Sequence, residues 1–339
     1  MAPLLEIRDL HVSFRTRDGV VRAVDGVSTS LGRGETLGVV GESGSGKSVT
    51  ALTVMGLTRL PNAFVGGQIV FDGTDLLELS NEALQHVRGR RIAMIFQDPL
   101  SSLHPLYKVG WQIEEAILAH EDVSRRAARR RAIDALAAVE LPNPRDLVDS
   151  YPHQLSGGMR QRAMIAMALV LNPDVLIADE PTTALDVTVQ AQILELIRGL
   201  QKEFGTAVVL ITHDLGVIAE TADEVAVMYA GRVVEQGPLE TILEAPEHPY
   251  TWGLLQSIPR LDTPRRERLR PIQGTPPSLI HAPSGCHFHP RCPYAMPMCR
   301  TIDPELLESD EGHVVACHLP VDEKRRIWRE LRPREADAA

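Results

Sequence analysis

The chain has 339 residues, 44% apolar, 24% charged and 4% aromatic, the usage of an ordinary globular protein with room for one large α/β domain and a smaller appendage. A formal net charge of −10 argues against nucleic acid or anionic lipid as partners held by overall charge, since both would repel it. The N-terminal residues lack a basic stretch leading into an apolar run, and no segment reaches the roughly 18 apolar residues of a spanning helix. Neither a secretory signal nor a membrane crossing is therefore expected.

The opening third reads as strands and turns. Leu4 to Ser13 alternates apolar and polar residues, Asp18-Gly19 is a turn, and Val20 to Leu31 leads to Gly32-Arg33-Gly34. Next, the apolar strand Thr36 to Val40 gives way to a Gly/Ser loop and then to the helical Val49 to Leu57. That loop, Gly41-Glu42-Ser43-Gly44-Ser45-Gly46-Lys47-Ser48, fits the GxxxxGK[ST] phosphate loop, and it sits between a strand and a helix as the motif requires. Its glycines let successive backbone N–H groups turn inward on phosphates, and the positive end of the following helix adds to the attraction. Lys47 is placed to reach the terminal phosphates and Ser48 to coordinate Mg²⁺. The bland alternative is a flexible Gly/Ser turn, which the flanking strand and helix disfavour.

Residues from about 111 to 141 are rich in Ala, Arg, Glu, Ile and Leu at helical spacing, and read as a helical insert between two halves of an α/β core. Within it, Arg125-Arg126-Ala127-Ala128-Arg129-Arg130-Arg131 stacks its arginines as a solvated ridge rather than a nucleic-acid patch. Further on, the strand Val175-Leu176-Ile177-Ala178 delivers Asp179 and Glu180 at its C-terminal end. Downstream of a phosphate loop this pair is a candidate for holding Mg²⁺ (Asp179) and for orienting and polarising an attacking water (Glu180). The helical Val187 to Phe204 and the strand Ala207 to Thr212 follow, and this alternation implies parallel strands with crossover helices. After about Leu243 the composition shifts: Pro246, Pro249, Pro259, Pro264, Pro271, Pro276, Pro277 and Pro283 exclude long helices and mark a separate extended region. No internal repeat is present, so the chain carries one nucleotide-binding unit.

One further segment, Leu155-Ser156-Gly157-Gly158-Met159-Arg160-Gln161-Arg162, resembles the LSGGQ signature of the ABC ATPases. A serine hydroxyl and glycine N–H groups opening a helix suit a γ-phosphate, and in that family the phosphate belongs to nucleotide on a partner cassette. Met159 departs from the usual glutamine but leaves Ser156, Gly157 and Gly158 in place. The resemblance assigns further residues in the expected order. Phe14, 33 residues before Lys47, matches the aromatic that stacks on adenine, with a strand-core role as the alternative. Gln97 matches the loop touching Mg²⁺ and water, Ala184-Leu185-Asp186 the loop signalling between cassettes, and His213 the switch histidine at the γ-phosphate.

The resemblance covers about residues 4 to 243 and is finest to the dipeptide and oligopeptide permease ATPases. Asp98 to Pro105, Tyr151 to Arg162, Asp186 to Gln190 and His248-Pro249-Tyr250-Thr251 carry it, although His104 stands where the branch more often has Asn. It implies an α/β P-loop NTPase core with an N-terminal antiparallel β-subdomain, a helical insert at about 98–160 and a small Pro/Cys-rich C-terminal region. The expected division is a cassette over 1–245 and an extension over 246–339.

All four cysteines, Cys286, Cys292, Cys299 and Cys317, fall in that extension with spacing Cys-x5-Cys-x6-Cys-x17-Cys. In a reducing compartment gathered thiols point to a metal. The missing Cys-x-x-Cys knuckle favours a [4Fe–4S] cluster over Zn²⁺, although His287, His289, His313 and His318 keep zinc open. Likeness of the Cys286 to Cys292 stretch to the permease family's tail implies the same cluster.

By resemblance, then, the chain is an ATPase on the cytoplasmic face of the cell membrane that energises peptide import. Its implied partners are a second, homologous cassette, two transmembrane permease subunits and an extracytoplasmic binding protein, without nucleic acid. Nickel or sugar cargo is the alternative. Non-transport relatives fit less well. Repair and chromosome types insert long coiled coils, whereas 108 residues separate Lys47 from Ser156 here, and translation factors carry two cassettes.

Overall fold

The computed structural model describes residues 2–98, 102–182, 186–257 and 272–332. In chain order the strands are β1 (Leu5–Thr16), β2 (Gly19–Leu31), β3 (Thr36–Val40), β4 (Ala63–Phe71), β5 (Thr74–Asp75), β6 (Ile92–Ile95), β7 (Val175–Asp179), β8 (Ala207–Thr212), β9 (Glu224–Tyr229), β10 (Arg232–Pro238), β11 (Leu307–Asp310) and β12 (His313–Val315). The α-helices are α1 (Lys47–Val54), α2 (Asn81–Val87), α3 (Val109–Leu118), α4 (Arg125–Ala138), α5 (Pro144–Leu147), α6 (Gly157–Leu169), α7 (Val187–Phe204), α8 (Leu215–Thr221), α9 (Leu239–Glu244), α10 (Pro249–Gln256) and α11 (Val321–Leu331).

Alternation in β1 buries Leu5, Ile7, Leu10 and Val12 on one face, and β1 pairs antiparallel with β2 on one side and β4 on the other. The ladder slips between Ile7 and Leu10, where Asp9 takes a positive φ of 48° and lets a bulge bend the strand. This four-stranded sheet has the order β2-β1-β4-β5.

The larger sheet has the order β11-β12-β10-β9-β3-β8-β7-β6, with β3, β6, β7, β8 and β9 parallel. Every residue of β3 and β7 is buried, which explains why, apart from Thr36 at one end and Asp179 at the other, these strands read as apolar runs: a parallel sheet is covered on both faces. The fold is therefore the α/β class that the sequence implies, with an antiparallel β-subdomain at its start.

The insert is not one helix. It breaks between α3 and α4, where the Ser124 side chain accepts from the Ala127 N–H and caps α4. Ala128, Ala132 and Leu136, spaced four apart, are fully buried, and small side chains let α4 pack closely. Arg125, Arg126 and Arg130 are exposed as the ridge reading expects. Arg129 instead bridges Glu114 of α3 and Asp149, and Arg131 pairs with Glu121.

The C-terminal residues join the main sheet. β12 pairs antiparallel with β10, placing Val315 opposite Glu235, and β11 and β12 form a hairpin at the sheet edge. Glu235 is fully buried and accepts from the Glu247 and His248 N–H groups and from His313 Nε2 at 2.9 Å. Glu247 in turn pairs with Lys324 at 2.9 Å, both side chains nearly inaccessible, and with Arg325. Among the described residues helices after Leu243 are short, in keeping with the prolines. α11, at 11 residues, begins directly after Pro320 and seats Ile327 and Trp328 in a small core with Trp252 and Leu319.

Candidate functional site

The site forms where the parallel strands end. β3 lies between β8 and β9, and the chain leaving Val40 turns through Gly41 to Gly46 into α1. Gly46 caps α1 with φ 103°, and a Cβ there would lie 2.5 Å from the Ala23 carbonyl oxygen of β2, so no other residue fits. The loop is pinned from both sides: Ser45 N–H donates to the Glu42 carbonyl at 3.2 Å, and Gly231 N–H to that of Ser45 at 2.9 Å. Lys47 Nζ lies on the loop's own carbonyls, 2.6 Å from Gly41 O and 3.0 Å from Glu42 O. Burial lowers the affinity of Lys47 for its proton, opposed by the carboxylates of Glu180, Asp179 and Glu42 around it.

Opposite the loop stand the two acids expected from β7. Asp179 Oδ1 accepts from Ser48 Oγ at 3.0 Å, which brings together two of the three residues read as Mg²⁺ ligands, the third being Gln97. Burial raises the Asp179 carboxyl above the usual range, partly offset by that hydroxyl. A hard divalent cation fits these oxygen donors, since it would restore the charge balance that burial disturbs. Glu180 then breaks the strand with φ 47°, a left-handed conformation that costs a residue with a side chain. Its N–H still donates to the Ile211 carbonyl of β8 at 2.9 Å. The turn aims its carboxylate between Gln97, whose Nε2 donates to Oε2 at 2.8 Å, and His213, whose Nδ1 lies 3.3 Å from Oε1. Lys47, Ser48, Gln97, Asp179, Glu180 and His213, separated by up to 166 positions, are thus drawn to one place.

Five expected residues, Phe14, Ser156, Gly157, Gly158 and Asp186, lie elsewhere. Phe14 is half-buried against the N-terminal core and pairs with Val21 in β2, two positions before the Ala23 that abuts Gly46. Ser156 caps α6, accepting from the Met159 N–H at 3.3 Å, and is exposed together with Gly157. The hydrogen bonds described for Ser156 stay within its own helix. A Cβ on Gly158 would meet Val189 of α7 at 3.2 Å, so the signature helix packs against the helix that Asp186 caps by accepting from the Val189 N–H. Ala184 and Leu185 of the signalling loop, like Pro99, Leu100 and Ser101, lie outside the described residues.

Cys286, Cys292, Cys299 and Cys317 line one small cavity with His289 and His318. Among the described residues, however, no three His, Cys, Asp or Glu side chains are arranged to hold a metal ion, so neither expectation, iron–sulfur or zinc, is met by ligating geometry. The chain path opens the thiols onto a shared space without closing them on one point. Burial pushes the Cys292 thiol up to about 12 and the Cys317 thiol up to about 11. Backbone N–H groups of Phe288 and His289 oppose this at Cys286, that of Tyr294 at Cys292 and that of Leu319 at Cys317.

Two residues at the phosphate loop escaped the sequence reading. Tyr250 Oη accepts from the Glu42 N–H at 2.8 Å, and Arg291 forks onto the Glu42 carboxylate at 2.6 and 3.0 Å. Both belong to stretches that carry the permease likeness, but nothing local signals a contact across more than 200 positions.

Comparison with known proteins follows this geometry. The ABC transporter family model matches residues 24–183, and the model for the oligopeptide/dipeptide transporter C-terminal region matches 234–299. The oligopeptide transport ATP-binding protein OppD of Bacillus subtilis is 52% identical over 317 residues, 93% of this chain and 88% of that one. The dipeptide transport ATP-binding protein DppD of Escherichia coli K12 is 48% identical over 323 residues, 95% of this chain and 98% of that one. Among solved structures, the dimeric bacterial ABC transporter cassette MJ0796 superposes with a TM-score of 0.62 at 28% identity, over 69% of this chain and 98% of that one.

Proposed function

The chain belongs to the ATP-binding subunits of the oligopeptide and dipeptide ABC transporters and hydrolyses ATP to energise peptide import, and we propose that it does so by closing on a second cassette over shared nucleotide. One observation carries the shared arrangement: the chain's own phosphate loop, Asp179, Glu180, Gln97 and His213 converge, while Ser156 and Gly157 open α6 onto solvent. An exposed helix N-terminus with a serine cap is an anion site. The MJ0796 cassette, solved as a dimer, is this chain's relative in fold.

In this reading the loop N–H groups, α1 and Lys47 hold the phosphates, and Phe14 stacks on the base. Ser48 and Asp179 would hold Mg²⁺, with Gln97 beside them; the ion, when bound, neutralises charge on the phosphates. Glu180 orients and polarises the attacking water, and His213 and Gln97 orient its carboxylate. Phosphoryl transfer asks for positioning and charge stabilisation more than covalent chemistry, which suits this set. Asp186 and its loop carry the signal between cassettes. We take 1–245 as the cassette and 246–339 as its extension.

Membrane permease subunits are the partners that the relatives' role requires, and the insert offers them a face. Leu106, Tyr107 and Trp111 are exposed, with Tyr107 and Trp111 stacked 4.3 Å apart, in the segment that follows Gln97. No described helix is long and apolar enough to cross a membrane, in keeping with a subunit seated on the cytoplasmic face. The second cassette is read as a homologous subunit, and an extracytoplasmic binding protein as the source of cargo.

The four cysteines are read as the ligands of a [4Fe–4S] cluster. N–H groups already aimed at three of the sulfurs favour thiolates that burial alone opposes. Anaerobic purification should give protein containing iron and acid-labile sulfide in equal amounts, and Cys292→Ser should lose both; stoichiometric zinc would overturn the assignment.

The motor reading is tested by Glu180→Gln in the assembled transporter. ATP binding should persist, turnover should fall about 100-fold or more, and nucleotide should hold the cassettes together in chemical cross-linking with Ser156 left intact. Full-rate hydrolysis in the variant, or no nucleotide-dependent cross-link, would refute it.

A further inference from the structure

Both the backbone and the side chain of Glu42, second residue of the phosphate loop, are held from the C-terminal extension. Its N–H is spent on Tyr250 Oη at 2.8 Å rather than turned toward phosphate. Its carboxylate faces the Arg291 guanidinium in a two-pronged pair, 2.6 Å from Nη1 and 3.0 Å from Nη2. Arg291 is only 4% exposed in its side chain. The rest of its fork is satisfied by its own extension and by β9: Nε donates to Gln273 O at 2.9 Å, Nη2 to the Ile272 and Gly274 carbonyls at 3.4 Å, and Nη1 to Tyr229 Oη of β9 at 3.3 Å.

Nothing in this clamp is loose. Tyr250 is fully buried, tilted on Tyr229 at 4.7 Å and edge-on to Phe288 at 5.5 Å. Arg291 sits in a turn closed by N–H bonds from Arg291 and Cys292 to the Phe288 carbonyl at 3.0 Å. On the other side, the Glu42 carbonyl accepts from Lys47 Nζ and from the Ser45 N–H. Moving Glu42 therefore moves the phosphate-binding lysine and the loop together. The guanidinium also cancels a carboxylate that would otherwise stand beside a polyphosphate and repel it.

We propose that Arg291 and Tyr250 are positioning residues for nucleotide binding, fixing Glu42 so that the phosphate loop is shaped and its stray negative charge is neutralised by the C-terminal extension. This rests on the ATPase reading above, and makes the extension a working part of the nucleotide site.

The test uses the full chain in its assembled transporter, with KM for ATP and kcat measured separately. Arg291→Met should raise KM about tenfold, the loss of one charged buried hydrogen-bonded pair, with kcat at saturating ATP within about twofold. Adding Glu42→Gln to Arg291→Met removes the unpaired charge and should return KM most of the way to wild type, a rescue that loss of packing alone does not produce. Tyr250→Phe keeps the ring and its packing, and should raise KM several-fold even if Arg291→Met fails to fold. An unchanged KM in Tyr250→Phe, or in a folded Arg291→Met, overturns the proposal, as does a double variant no better than the single one. A wild-type assembly without ATP hydrolysis would instead refute the ATPase reading itself.

Discussion

Replacing Glu180 by glycine should leave the folded chain more stable than replacing it by alanine, although both variants lose hydrolysis. The two substitutions remove the same contacts, to Gln97 Nε2 and His213 Nδ1, so those losses cancel in the comparison. Both keep the backbone bond from residue 180 to the Ile211 carbonyl. What differs is the Cβ, held at φ 47°. A left-handed residue with a Cβ carries a cost of roughly 1–2 kcal/mol that glycine does not. Glycine gives back roughly 0.5–1 kcal/mol through its freer unfolded chain. The balance favours Glu180→Gly over Glu180→Ala by about 0.5–1 kcal/mol. Urea unfolding of the nucleotide-free chain, compared at equal m, reads this as a higher midpoint for the glycine variant. An alanine variant of equal or greater stability would refute the claim that backbone strain is stored at this position. If the order holds, the strain has a purpose: an extended residue 180 would carry its carboxylate along the strand and away from Gln97 and His213.

Three further outcomes follow from the geometry. His248 is fully buried and its Nδ1 accepts from the Tyr250 N–H, and burial depresses its pKa from 6.5 to about 3. The unfolded chain takes up this proton as pH falls through 6.5 while the folded chain does not, so the stability is present above 6.5 and about 2 kcal/mol of it is lost by pH 5. His248→Asn, which keeps an acceptor at the same place, should flatten the slope of urea stability between pH 7 and 5 by about that amount; an unchanged slope would refute it. Lys324→Met strands the buried Glu247 carboxylate, and should cost about 3 kcal/mol, the low end for such a break because Arg325 and Ser309 remain. Adding Glu247→Gln should recover part of this in urea unfolding, and a double variant weaker than the single would count against the pairing. In the phosphate loop, Gly46→Ala should abolish binding of a fluorescent ATP analogue, because its Cβ meets the Ala23 carbonyl oxygen at 2.5 Å. Gly44→Ala, with nothing within 4 Å, should bind more weakly but measurably, and the reverse order would contradict the loop geometry.

The parts legible in the sequence are those with a short period or a short spacing. β3 and β7 announced themselves because a strand covered on both faces must be apolar throughout, and the phosphate loop because eight consecutive residues do one job. The convergence of Gln97, Glu180 and His213 followed from resemblance, since no rule of spacing joins positions 83 and 33 residues apart. The left-handed turn at Glu180 left no trace at all: glutamate is not a residue that advertises a positive φ. The insert's break at Ser124 was readable in principle from a serine before a helical run, but the helix-favouring composition on either side masked it. Hardest to foresee was the C-terminal extension. Proline density spoke for extended chain and against long helices, and it carried no information about β12 adding to β10 or about Arg291 reaching Glu42. Those are long-range pairings, fixed by the whole topology.

Charge balance supports the proposal that such a site needs a second body before it acts. The described side chains at the end of β7 include two acids, Asp179 and Glu180, against one ammonium, Lys47, while the Glu42 carboxylate is already matched by Arg291. A bound polyphosphate adds negative charge that Lys47, the start of α1 and one divalent cation only partly offset. The missing term is positive and directional. In the proposed shared site the exposed start of α6 supplies it, about half an elementary charge with a serine hydroxyl at its tip. That helix end bonds within itself and faces solvent, and under the proposed closure it serves a nucleotide on another cassette rather than its own. In that proposal full stabilisation of the transferring phosphoryl group waits on closure, and closure is the motion that the insert, beginning beside Gln97, passes to the membrane subunits.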